Sequence, residues 1–65
     1  MSKKILRLVP VLERTGLSRR TLYQEMSAGR FPRPVQLTAR SVGWPEDDVE
    51  KWILERIEAR DAAMA

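Results

Sequence analysis

The chain has 65 residues, with neither cysteine nor histidine. That length allows one small domain that buries only about 60% of the surface its unfolded form exposes. The missing residue types exclude a disulfide framework and the usual ligands of structural zinc. The net charge of +3 is unevenly spread: residues 1–45 carry nine basic and two acidic side chains, residues 46–65 three basic and seven acidic. A cationic front with an anionic back points to one surface that attracts a polyanion.

No apolar run approaches the roughly 20 residues of a membrane span. Charge interrupts the start, Met1 to Arg7, too early for a signal peptide. The expectation is a cytoplasmic, nucleoid-associated protein with no membrane partner. One domain fills residues 1–65, with 1–4 and 60–65 flexible.

Ile5-Leu6-Arg7-Leu8 is a short extended stretch. Pro10 suits the first turn of a helix, where its missing N–H is not needed, so a short helix is expected over Val11 to Thr15. Gly16 supplies a tight turn. Ser18 is a good N-cap for a second helix running to about Ala28, with Leu17 and Leu22 spaced as a hydrophobic staple. Leu22 and Met26 define its buried face, and Gly29 ends it. Pro32 and Pro34 then impose an extended loop. Val35-Gln36-Leu37 and Val42-Gly43-Trp44 read as two strands around the turn Thr38 to Ser41, although Gly43 weakens the second. Pro45 opens the last helix. Glu46, Asp47 and Asp48 complement the dipole of its first turn, and Val49, Trp52, Ile53 and Ile57 form its apolar stripe. The fold class is therefore mainly α with a small β-hairpin: a winged helix-turn-helix of three helices plus wing.

The most informative run is Thr15-Gly16-Leu17-Ser18-Arg19-Arg20-Thr21-Leu22-Tyr23. At about 100° per residue, Arg20, Tyr23, Gln24 and Ser27 share the helix side opposite Leu22 and Met26, with Arg19 near the start. Arg pairs with guanine and Gln with adenine in the major groove of DNA. Tyr23 and Ser18 can donate hydrogen bonds to phosphate. On an arbitrary helix these would be ordinary solvated side chains. Here the turn, the cap and the hairpin converge on one DNA-reading geometry. Arg30 and Arg33 follow the helix and can clamp phosphate. Lys3, Lys4 and Arg7 form a flexible basic start able to add a phosphate contact. Trp44 and Trp52 sit where the core between wing and last helix needs filling, rather than where bases would stack. Phe31 is likewise core.

Five blocks in order carry a resemblance. They are Arg7-Leu8; Thr15 to Arg19 with Thr21-Leu22-Tyr23; Gly29-x-Phe31-Pro32-x-Pro34-Val35; Arg40 to Trp44; and Val49-x-x-Trp52-Ile53. Together, over roughly residues 5 to 56, they closely resemble the AlpA family. These are small phage and prophage transcription regulators, similar in fold to MerR-type winged helix-turn-helix proteins and to excisionases. The resemblance implies a recognition helix at 18–28 in the major groove and a wing at 35–44 at the adjacent minor groove. It puts Arg40 and Ser41 at the wing's DNA-contacting tip and implies bacterial or phage origin. One departure is Val9-Pro10-Val11, which should shorten a first helix that is usually longer and free of proline.

An enzyme is not expected. No Cys or His offers a nucleophile, base or metal ligand, and Gly16, Gly29 and Gly43 are too far apart for a phosphate loop. Three consecutive acids on a helix point in different directions and cannot converge on a metal. No cofactor and no metal are expected. The partner is double-stranded DNA, and the reading allows a homodimer or cooperative assembly, and an integrase or other phage protein beside it. Two alternatives stay open: an excisionase-like recombination directionality factor, and a protein-interaction module whose basic face docks an acidic partner.

Overall fold

The computed structural model describes residues 4–64. The elements run β1 (Ile5–Leu6), α1 (Leu8–Thr15), α2 (Arg19–Ser27), β2 (Val35–Thr38), β3 (Ser41–Pro45) and α3 (Glu46–Met64). The fold is a winged helix-turn-helix: three helices beside a small antiparallel sheet.

The sheet has three strands in the order β1-β3-β2. Ile5 pairs with Pro45 and Leu6 with Trp44, so the extended stub expected at the start becomes an edge strand. On the other side of β3, Val35 pairs with Gly43, Gln36 with Val42 and Thr38 with Ser41, with an irregularity between Gln36 and Thr38. Gly43 has a packing reason to stand in this central strand. A Cβ there would lie 2.5 Å from Ile5 Cγ2 and 3.0 Å from the Leu6 carbonyl oxygen, so only glycine lets β1 approach.

The first helix begins at Leu8, not at Val11. Pro10 is its third residue, and the first turn of a helix has no internal partners for its N–H groups. Its first internal bond is donated by Val11 N–H to the Arg7 carbonyl at 3.1 Å. The proline therefore shortens nothing. Gly16 takes the left-handed conformation, φ 74° and ψ 10°, and its N–H caps α1 on the Leu12 carbonyl at 2.8 Å. Pro45 does not open α3 but ends β3, where the ladder needs no further donor; the next N–H, of Glu46, bonds to the Lys4 carbonyl at 2.7 Å.

The core joins Leu6, Val11, Leu22, Met26, Phe31, Trp44, Val49 and Trp52. One residue or more comes from β1, each helix, the proline loop and β3, so no element buries its face alone. Phe31 and Trp52 meet edge to face, with ring centroids 5.1 Å apart. Trp44 Nε1 donates to the Pro32 carbonyl at 3.0 Å, which satisfies the buried indole and pins the proline loop to the sheet. Ile53 packs against the core, but Ile57 is 41% exposed. The stripe expected on α3 ends early because the helix runs past the body of the domain. It continues to Met64, beyond Asp61, where fraying was expected. No helix among the described residues is long and apolar enough to cross a membrane.

Candidate nucleic-acid interface

The second helix of the helix-turn-helix presents a sharply divided surface. Ser18 begins it: its Oγ accepts from Thr21 N–H at 3.2 Å and donates to Thr21 Oγ1 at 2.9 Å. Its hydroxyl is thus already engaged as the N-cap. Leu22 is fully buried and Met26 nearly so, which fixes the helix's rotation. That rotation leaves Arg19, Arg20, Tyr23, Gln24 and Ser27 exposed. Arg20, Tyr23, Gln24 and Ser27 together line one shallow, open depression, so four of the expected residues share a surface.

The arginines that precede α3 divide into two sets. Arg14 is paired with Glu46 at 3.1 Å and with Glu50, which ties α1 to the acidic start of α3. Arg30 forks onto Glu25, with Nε to Oε1 at 2.9 Å and Nη2 to Oε2 at 2.7 Å. Those hydrogen bonds, with the charge of Arg30 and Arg56, hold the Glu25 carboxyl below its usual range, against slight desolvation; Arg30 is correspondingly raised. Glu25 lies on the helix flank roughly opposite Arg20 and Ser27, about 150° round the axis. The Arg30 guanidinium, expected to clamp phosphate, is held by Glu25 at that flank. Among the described residues, no carboxylate pairs with Arg7, Arg19, Arg20, Arg33 or Arg40.

The remaining expected residues lie on other elements. Arg33 is exposed, on the loop segment that the Trp44–Pro32 hydrogen bond anchors. Arg40 occupies the two-residue turn between β2 and β3, and its N–H donates to Thr38 Oγ1 at 3.2 Å. Ser41 is half-buried and bonded to the same Thr38 oxygen at 2.7 Å, while Gln36 Nε2 donates to the Thr38 carbonyl at 2.6 Å. The wing tip is thus closed by its own side chains, with the Arg40 side chain outside. Lys3 lies outside the described residues. Arg7 is not part of a flexible start: it is the N-cap residue held between β1 and α1. It lines a trough with Arg19, Tyr23, Val9 and Val42. Sequence spacing alone cannot show that residues 7, 19 and 42 meet. The linings of the depression and the trough are donor-rich and hold no acid, a chemistry suited to an anionic, hydrogen-bonding surface.

The family model described as Prophage CP4-57 regulatory protein (AlpA) matches residues 4–57. The chain belongs to the AlpA family. The matched span contains the helix-turn-helix, the wing and α3 as far as Ile57. The chain is similar to the DNA-binding transcriptional activator AlpA of Escherichia coli (strain K12), 34% identical over 59 residues, 82% of this chain and 84% of that protein. It is also similar to an uncharacterized protein of Enterobacteria phage P4, 36% identical over 58 residues, 89% of this chain and 66% of that protein.

Proposed function

We propose that the chain is a sequence-specific, double-stranded-DNA-binding transcriptional regulator of phage or prophage type. In this reading the helix at 18–28 enters the major groove. Arg20 and Gln24 read base edges, and Arg19, Tyr23 and Ser27 complete the contact. The wing at 35–44 reaches the adjacent minor groove with Arg40, and Arg33 adds a phosphate contact. The observation that carries the reading is the α2 face itself: two arginines without carboxylate partners, a tyrosine and a glutamine, exposed together on a helix whose other side is locked in the core. The name of the Escherichia coli relative supports it.

The protein binds DNA as a pair in this reading. A helix of nine residues spans only about 14 Å and reads few base pairs. A second copy fits against Leu54, Ile57 and Met64, which are exposed on one flank of the projecting α3. Antiparallel packing sets Lys51 of one copy near Glu58 of the other. So small an apolar seam falls well short of the roughly 800 Å² per partner of a standard interface, so the pair forms on DNA, where the duplex concentrates both copies.

The test is binding to random-sequence and upstream genomic duplexes, followed by fluorescence anisotropy across a salt series, for wild type and Arg20→Ala. The expected log–log salt slope is about −3 to −5, at about 0.9 per neutralised phosphate. Arg20→Ala should narrow the gap between the two duplexes. Absence of binding to any duplex at low salt overturns the reading.

A further inference from the structure

A helix in the major groove and a hairpin in the adjacent minor groove must straddle one sugar-phosphate strand. On this protein the space between those two elements is the trough walled by α2, the start of α1 and β3. We infer that this trough is a seat for the DNA backbone, with Arg7 and Arg19 holding a phosphate from opposite walls; the inference rests on the proposed mode of DNA binding.

Four observations meet there. Arg7 and Arg19 come from different elements, 12 positions apart in sequence, yet line the same trough. No acidic residue lines it, and neither arginine is paired with a carboxylate among the described residues. Its apolar wall includes Val9 and Val42, 59% and 38% exposed, which offer deoxyribose a surface that it can cover. Finally, Leu8, Val9 and Pro10 of the first turn of α1 line the same trough and no side chain caps that turn, so the positive end of the helix lies beside the two arginines. Arg7 is placed in advance: its carbonyl accepts the first hydrogen bond of α1, and the preceding Leu6 is paired with Trp44. A phosphate held this way carries no base information; it sets the register of helix and wing on the duplex.

The experiment uses the full chain and the two duplexes above, comparing wild type, Arg7→Ala, Arg7→Lys and, as a charge control, Arg60→Ala. Circular dichroism checks that each variant is folded. Arg7→Ala should weaken both duplexes by the same factor, about five- to tenfold at low salt, and make the salt slope shallower by about 0.9. Arg7→Lys should keep the slope, and Arg60→Ala should change neither. On the tightest-binding duplex, single uncharged methylphosphonates are then walked along the strand between the grooves. One position, or two in succession, should weaken wild type but have no further effect on Arg7→Ala. The seat is overturned if wild type binds and Arg7→Ala matches it in affinity and slope. It is also overturned if Arg7→Ala erases discrimination between duplexes, since Arg7 would then read bases. If wild type binds neither duplex, the proposed function itself has failed.

Discussion

Gly43 shows how one residue can carry opposite meanings in sequence and in space. By propensity a glycine weakens a strand, and nothing along the chain says that Ile5 and the Leu6 carbonyl will press on it. Adding one methyl must displace the Ile5 side chain and shift β1 by a few tenths of an ångström, because the Leu6 contact is backbone and cannot rotate away. Gly43→Ala should therefore destabilise the protein by about 1–3 kcal/mol in urea unfolding, and Ile5→Ala should relieve part of that but not all. Arg30 gives a second example. Its neighbours in sequence are Gly29 and Phe31, while the carboxylate that claims it lies five positions back. Because Glu25 is held below its ordinary value of 4.5, the pair adds stability that is present above that value and lost as pH falls through the lowered one. Arg30 is exposed and Glu25 half-buried, so solvent screens the pair and the effect is small. Between pH 7 and pH 3 the urea midpoint of wild type should fall slightly more than that of Glu25→Gln. Equal losses would show that the pair does not contribute.

At the scale of elements, the strongest sequence signals were local and they hold. Ser18 caps α2, Gly16 closes α1, and the prolines keep residues 32–34 out of helix, because each acts on backbone within a few positions of itself. The boundaries that moved depend on partners far along the chain. Pro45 stays in β3 because Ile5 pairs with it, and α1 reaches back to Leu8 because Arg7 follows a paired strand. The α2 face was legible for the same local reason: a capped helix with Leu22 and Met26 inside has a determined outside. The helix-wing trough was not, since three elements build it. Ser18 is the residue where cap and surface coincide. Ser18→Ala should cost about 1 kcal/mol of stability through the lost bond to Thr21 N–H, read as a lower thermal midpoint. Once allowance is made for the unfolded fraction, DNA affinity should change little, because that hydroxyl is already engaged.

Across the whole molecule, the charge asymmetry written in the sequence becomes a division of labour among arginines. Acids at the start of α3 hold Arg14, and Glu25 holds Arg30, leaving Arg7, Arg19, Arg20, Arg33 and Arg40, of the arginines that precede α3, without such partners among the described residues. The end of α3 belongs to neither set. Beyond Ile53 it adds nothing to the core, with Leu54 56% and Ile57 41% exposed, in a molecule 45 Å long but only 19 Å across its thinnest axis. A side chain that contacts no core can be changed without loss of the monomer's fold, so α3 separates assembly from folding. In Leu54→Ala/Ile57→Ala the thermal midpoint should stay near that of wild type, whereas the steepness of binding to a duplex carrying two sites should drop toward that of independent single copies. The ion pair supplies a stricter check. Lys51→Glu alone should weaken paired binding by setting like charges together across an antiparallel seam. Lys51→Glu with Glu58→Lys should restore it, because the swap rebuilds both cross-pairs. If the charge-swapped protein stays as defective as the single variant, the two α3 helices do not meet antiparallel and the second copy is held elsewhere.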